Sequence, residues 1–175
     1  MRFCVAKPAS IPQRKEAFAN AKAMVITMSE VIIKNGDLAA AIYKNVKMGS
    51  DLIVTMMPKI DNQQLKADVT EQLASYEKYA TQAKKLIKHS GDEVKEESAL
   101  SKFMAKMGIQ VNTLTDSTTS HLAEMMIQGS VMNVTDLIRK IHESENVNGG
   151  SAEITMAKEV VNFEEKNIEK FKEYL

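Results

Sequence analysis

Four long stretches of this chain repeat apolar residues in steps of three and four, and no stretch alternates with period two far enough to argue for a strand. Side chains so spaced share one face of a helix, so the rhythm points to amphipathic helices packed on one another and to an all-α fold. The punctuation agrees, because the 175 residues hold only seven Gly and three Pro. In the first stretch, about 37–57, Leu38, Ile42, Val46, Gly49, Ile53 and Met56 keep the step, with Asp37 placed as a cap and Pro58 as a stop. The second, about 62–90, opens at Asp61-Asn62, carries Leu65, Val69, Gln72, Tyr76, Tyr79, Ala83 and Leu86, and closes at His89-Ser90-Gly91. The third, about 110–143, sets Val111, Leu114, Thr118, His121, Met125, Gln128 and Met132 in one register, with Leu122, Ile127, Leu137 and Ile141 beside it. The fourth, about 152–174, sets Ile154, Ala157, Val161, Glu164, Ile168, Phe171 and Leu175 at heptad spacing.

The connections constrain topology. A few residues join the first helix to the second around Pro58 to Asp61, and Asn146 to Gly150 join the third to the fourth, so each pair is an antiparallel hairpin. Between the hairpins lie about 20 residues, with a short amphipathic helix at about 99–107 carrying Leu100, Phe103, Met104 and Met107 before Gly108. A helical segment of that length reaches about 30 Å, enough to cross a bundle from end to end, so the second and third helices are expected to run parallel. One long crossover between two hairpins is the ferritin-like arrangement of a four-helix bundle.

Charge and cysteine content exclude several functions. Lys+Arg and Asp+Glu both number 23, which does not suggest the basic face that phosphate binding requires, so nucleic acid is not an expected partner. A lone Cys4 excludes an internal disulfide and cysteine-based zinc sites, and the apolar runs are too short for a transmembrane segment. The first 27 residues carry Arg2, Lys7, Arg14, Lys15 and Lys22 against Glu16, a charge of +4 that leaves −4 on the remainder. Residues 1–34 are therefore set apart as a basic leader ahead of a 35–175 bundle. Three readings of it stand: residues upstream of a true start at Met24 or Met28, a short disordered native tail, or an organellar targeting sequence. Phe3-Cys4-Val5-Ala6 ends at Lys7-Pro8 before a secretory core can form, and the expected location is cytoplasmic.

The runs Ile42-Tyr43-Lys44-Asn45-Val46-Lys47-Met48-Gly49 and Gln72-Leu73-Ala74-Ser75-Tyr76, with Met107-Gly108-Ile109, Asn112-Thr113-Leu114-Thr115-Asp116 and Ser120-His121-Leu122-Ala123-Glu124-Met125-Met126-Ile127-Gln128-Gly129, carry a resemblance. Over residues 36–175 the chain resembles a family of small, uncharacterised ferritin-like bundle proteins of Firmicutes. The resemblance implies a bacterial four-helix bundle. Ferritins hold two metals with a Glu from each of two helices and a Glu-x-x-His from each of the other two. Here the first helix offers Asp51 without a Glu, and Glu71 and Glu77 are followed by Ala74 and Ala80 where His belongs. His121 and Glu124 stand in reversed order, and Glu164 is followed by Asn167. The dimetal set is missing, leaving His121, Glu124, Glu164 and Asp51 as isolated metal candidates.

On the apolar faces, Glu164, His121, Thr118, Gln128, Gln72, Tyr76 and Tyr79 are expected to form a hydrogen-bonded polar core, or a pocket for one cation or small polar ligand, and a third reading has one or both of His121 and Glu164 snorkelling to solvent at a stripe edge. His89 and His142 sit near helix ends, where an imidazolium meets the negative end of the dipole. Asn148-Gly149-Gly150 lacks the strand and lysine of a phosphate loop, and Ser117-Thr118-Thr119-Ser120 lacks the glycine elbow of a nucleophile. Two functions follow as expectations. One is a non-catalytic helical protein, without cofactor, acting through self-association or partner binding, with a homodimer favoured. The other is a degenerate metal-binding or oxidoreductase bundle using His121 and Glu164 with iron or manganese.

Overall fold

The computed structural model describes residues 38–91, 93, 117–146 and 151–175. Among these residues the protein is all-helical, with four long helices and no strand. The first, α1, is helical over 38–56 and runs into a 3₁₀ turn, Met57–Lys59, around Pro58. The second, α2, spans Gln63–His89, and the Asn62 side chain accepts a hydrogen bond from the Leu65 N–H at 2.9 Å. It ends at Ser90, after which Gly91 takes φ of 81°, a conformation a side chain would oppose. The third, α3, is Thr119–Glu145, with the Thr118 hydroxyl accepting from the His121 N–H at 3.3 Å. The fourth, α4, is Ala152–Lys172, capped by Ser151, with Glu153 in its first turn and Lys170 and Lys172 in its last, each complementing the helix dipole.

One boundary differs from the sequence expectation by more than two residues. Ser117 and Thr118 are not helical, so α3 begins at Thr119 rather than near 110. A threonine whose hydroxyl serves as the cap marks a start that the apolar step runs straight through. The expected short helix at 99–107 and the leader 1–34 lie outside the described residues.

Contacts between helices fix their directions. Lys84 stacks over the Tyr43 ring at 5.1 Å while Gly49 meets Tyr76, so α1 and α2 are antiparallel. Along α2 and α4, Glu71 pairs with Lys170, Tyr76 with Glu164, and Tyr79 packs on Phe163, which is again antiparallel. Helices α3 and α4 are antiparallel too, through Asn133 with Glu164 and Glu145 with Lys158. Since α2 and α3 both oppose α4, they run parallel to each other. The side chain of Asn45 on α1 donates to Asp136 on α3 at 3.3 Å.

The interior is one apolar cluster drawn from all four helices, among them Ile42, Ile53, Leu65, Leu122, Leu137 and Phe171. On α2 and α4 the expected stripes shift in places: Val160 and Ile87 are buried where Val161 and Leu86 were expected, and Ile168 is half-buried while Leu175 is 64% exposed. No described helix is long and apolar enough to cross a membrane.

Candidate functional site

On α4 the buried positions Ile154, Ala157, Val160, Glu164, Asn167 and Phe171 step by threes and fours, which sets a carboxylate in the middle of the core-facing stripe. The Glu164 side chain is wholly buried. Its carboxylate accepts the Tyr76 hydroxyl, which lies 2.9 Å from Oε1 and 3.0 Å from Oε2. The Ser130 hydroxyl donates to Oε2 at 2.7 Å, and Asn133 Nδ2 donates to Oε1 at 3.0 Å. Behind Tyr76, Gln72 Nε2 donates to the phenol oxygen at 3.0 Å. The cluster therefore joins α2, α3 and α4 through one acid.

Burial pushes the Glu164 carboxyl above its ordinary value, while the hydrogen bonds from Ser130, Asn133 and Tyr76 pull the other way. The Tyr76 phenol is pushed well above its ordinary value, first by burial and then by the Glu164 charge and its hydrogen bond. The ring is fixed from two other sides. Phe163 meets it edge-on, with centroids 5.6 Å apart at 79°, and Gly49 of α1 lies so close that a Cβ there would stand 2.6 Å from two ring carbons. Beside the ring is a cavity of about 10 Å³, room for about one water, lined by Gly49, Tyr76, Ser130 and Asn133 with apolar neighbours including Met48 and Met126. Three buried polar atoms, Gln72 Oε1, Asn133 Oδ1 and Asn167 Nδ2, have no hydrogen-bond partner among the described residues.

Of the residues expected in a polar core, Gln72, Tyr76 and Glu164 come together and the others do not. His121 does not reach Glu164. Its side chain is 38% exposed and lies 3.8 Å from Glu124, three residues along the same helix. Nine residues separate it from Ser130, about 14 Å along the axis and about half a turn around it, so the two face opposite sides of α3. Thr118 is spent as the cap of α3. Gln128 is half-buried and donates to Glu124 at 3.1 Å. Tyr79 is half-buried against Phe163. Asp51 pairs with Lys47 on α1. The metal candidates His121, Glu124, Glu164 and Asp51 thus do not converge, and among the described residues no group of three or more His, Cys, Asp or Glu does.

The sequence reading missed Ser130 and Asn133, although a signal for them exists. Met126, Ser130, Asn133 and Leu137 step by four, three and four and are all buried, a stripe that places two polar residues on the core face. Taking His121, Gln128 and Met132 as the principal register turns that face away from the core. No family model, no curated protein and no solved structure matches the chain. The chemistry of the site is therefore read from its own geometry. Among the described residues, each donor that reaches the carboxylate is neutral.

Proposed function

We propose that this chain is a non-catalytic, ferritin-like four-helix protein that acts in the cytoplasm through self-association, most simply as a homodimer. The ferritin-like part of the reading is supported by the parallel run of α2 and α3, which follows from both opposing α4. The non-catalytic part rests on one observation: the hydroxyls of Tyr76 and Ser130 and the amide of Asn133 all converge on Glu164. A carboxylate that takes three neutral donors from its own fold is engaged in joining helices. Metal pairs in carboxylate sites need several convergent anionic oxygens, and this cluster supplies one acid.

The test is metal analysis with light scattering on protein purified without chelator from cells supplied with iron and manganese. The expected outcome is a dimer mass with metal well below one equivalent per chain. Stoichiometric iron or manganese that disappears in Glu164→Gln would overturn the reading in favour of a metal-dependent bundle.

A further inference from the structure

Four described large apolar residues are exposed, and two of them, Val131 at 46% and Ile138 at 37%, lie seven residues apart on α3. Between and beside them stand Val134 and Ile127, both half-buried. The four form one stripe, Ile127, Val131, Val134 and Ile138, spaced four, three and four, about 100° around α3 from the Ser130 and Asn133 face, with Ile127 at its edge packed against the core. Heptad spacing is the pattern by which a helix packs along another helix. Here the four-helix core is already built from the adjoining face, and Val131 and Ile138 are left outward.

The stripe is the same read in either direction. Isoleucine, valine, valine, isoleucine with symmetric spacing matches its own antiparallel copy, so Ile127 meets Ile138 and Val131 meets Val134 under one two-fold axis. Charge follows the same symmetry. Glu124, 55% exposed at the N-terminal end of the stripe, then faces the partner's α3 within one turn of Arg139, which is 63% exposed, and of His142. From these three properties we infer that the exposed stripe of α3 is the seam of an isologous dimer in which two copies of this chain pack α3 against α3 antiparallel. The inference rests on the self-association reading above and names its surface.

The available area sets the expected strength. A 27-residue helix is about 40 Å long and about 10 Å wide, a footprint of about 400 Å² against the about 800 Å² per partner of a standard interface. Such a dimer belongs at the weak, concentration-dependent end of specific association.

The test is sedimentation equilibrium of the full chain over about a hundredfold range of concentration. It compares wild type, the double variant Val131→Glu with Ile138→Glu, and Val54→Glu as an exposed apolar control on α1. The expected result is a wild-type dimer, dissociation raised about tenfold or more in the double variant, and no change in the control. If the double variant dimerises like wild type, the seam is wrong while self-association stands. A wild type that stays monomeric throughout defeats both. If the double variant is a monomer whose melting point has also fallen with no concentration dependence, the stripe is covered by its own chain and the dimer seam is refuted. The charge pair gives an independent check that does not load the stripe: Glu124→Arg should weaken the dimer, and adding Arg139→Glu should restore it. Failure to restore removes the antiparallel register.

Discussion

Gly49→Ala is the sharpest test of the packing around Glu164, because helix propensity and packing predict opposite signs. In an unobstructed helix, Ala is more favourable than Gly by about 1 kcal/mol. In α1 the new Cβ would lie 2.6 Å from Cε2 and Cζ of Tyr76 and 2.8 Å from its hydroxyl oxygen. Ordinary carbon contacts begin near about 3.5 Å, so the ring or the helix must move by close to 1 Å. The ring has little room to retreat, since Phe163 holds its edge and Glu164 holds its hydroxyl. Overpacking costs about 1 to 3 kcal/mol, and a displaced hydroxyl gives up a hydrogen bond to a charged group worth about 1.5 to 3. After the propensity gain, the expected loss is about 1.5 to 5 kcal/mol, read by urea unfolding followed in the far ultraviolet. Repeating the substitution in a Tyr76→Ala background completes the double-mutant cycle, and there it should turn stabilising by up to about 1 kcal/mol. A Gly49→Ala protein as stable as wild type, or more stable, would show that Tyr76 does not occupy this place against α1.

The raised carboxyl of Glu164 carries a pH signature. Because its folded value lies above the ordinary 4.5, the folded state holds the proton more tightly, and its stabilisation is complete below that value and is lost as pH rises toward the folded one. The stability of wild type relative to Glu164→Gln should accordingly fall as pH is raised above the ordinary 4.5, and a flat or rising difference in paired urea titrations would contradict the burial. Ser130→Ala removes the 2.7 Å bond to Oε2 and should cost about 1.5 to 3 kcal/mol at neutral pH, with a smaller loss near pH 4 where the acid is neutral; equal losses at both would mean the hydroxyl does not serve the charge. Ser151→Ala deletes the α4 cap and should cost about 1 kcal/mol by chemical denaturation, with no change in pH dependence.

The helices were legible because burial and period coincide in them. Leu38, Ile42, Val46, Ile53 and Met56 were expected on one face of α1, and all are buried. Pro58, Asn62 and Ser151 mark boundaries whose chemistry is local, and the two short connections could be read from length alone. The site was half legible. Gln72, Tyr76 and Glu164 are polar interruptions of otherwise apolar stripes, and interruption is visible in a sequence. Which partners meet them is not, because that depends on rotation of each helix about its axis. On α3 close to half a turn separates the Gln128 and Met132 register from the Ser130 and Asn133 face. Methionines on both sides, Met125 and Met126 buried and Met132 half-buried, blur the apolar contrast that would have chosen between them. His121 drew attention by its chemistry, yet it stands in the first turn of α3, where a three-four step continues on paper beyond the point where the helix begins.

Rotation of α3 also links the interior to the surface. Ser130 and Asn133 are followed in the chain by Val131 and Val134, each about 100° further around the helix. Hydrogen bonds from the first pair to Glu164 hold α3 at one rotation about its axis, and at that rotation Val131 and Ile138 point outward. An apolar core alone tolerates repacking, with Met125 and Met126 able to adapt to a turned helix. A buried acid that needs particular donors does not, since turning α3 would strand the carboxylate. The cluster thereby acts on the face the protein presents, through geometry fixed at Glu164. A buried acid that contributes little net stability is still useful when its hydrogen bonds select one arrangement among several that an apolar core would accept.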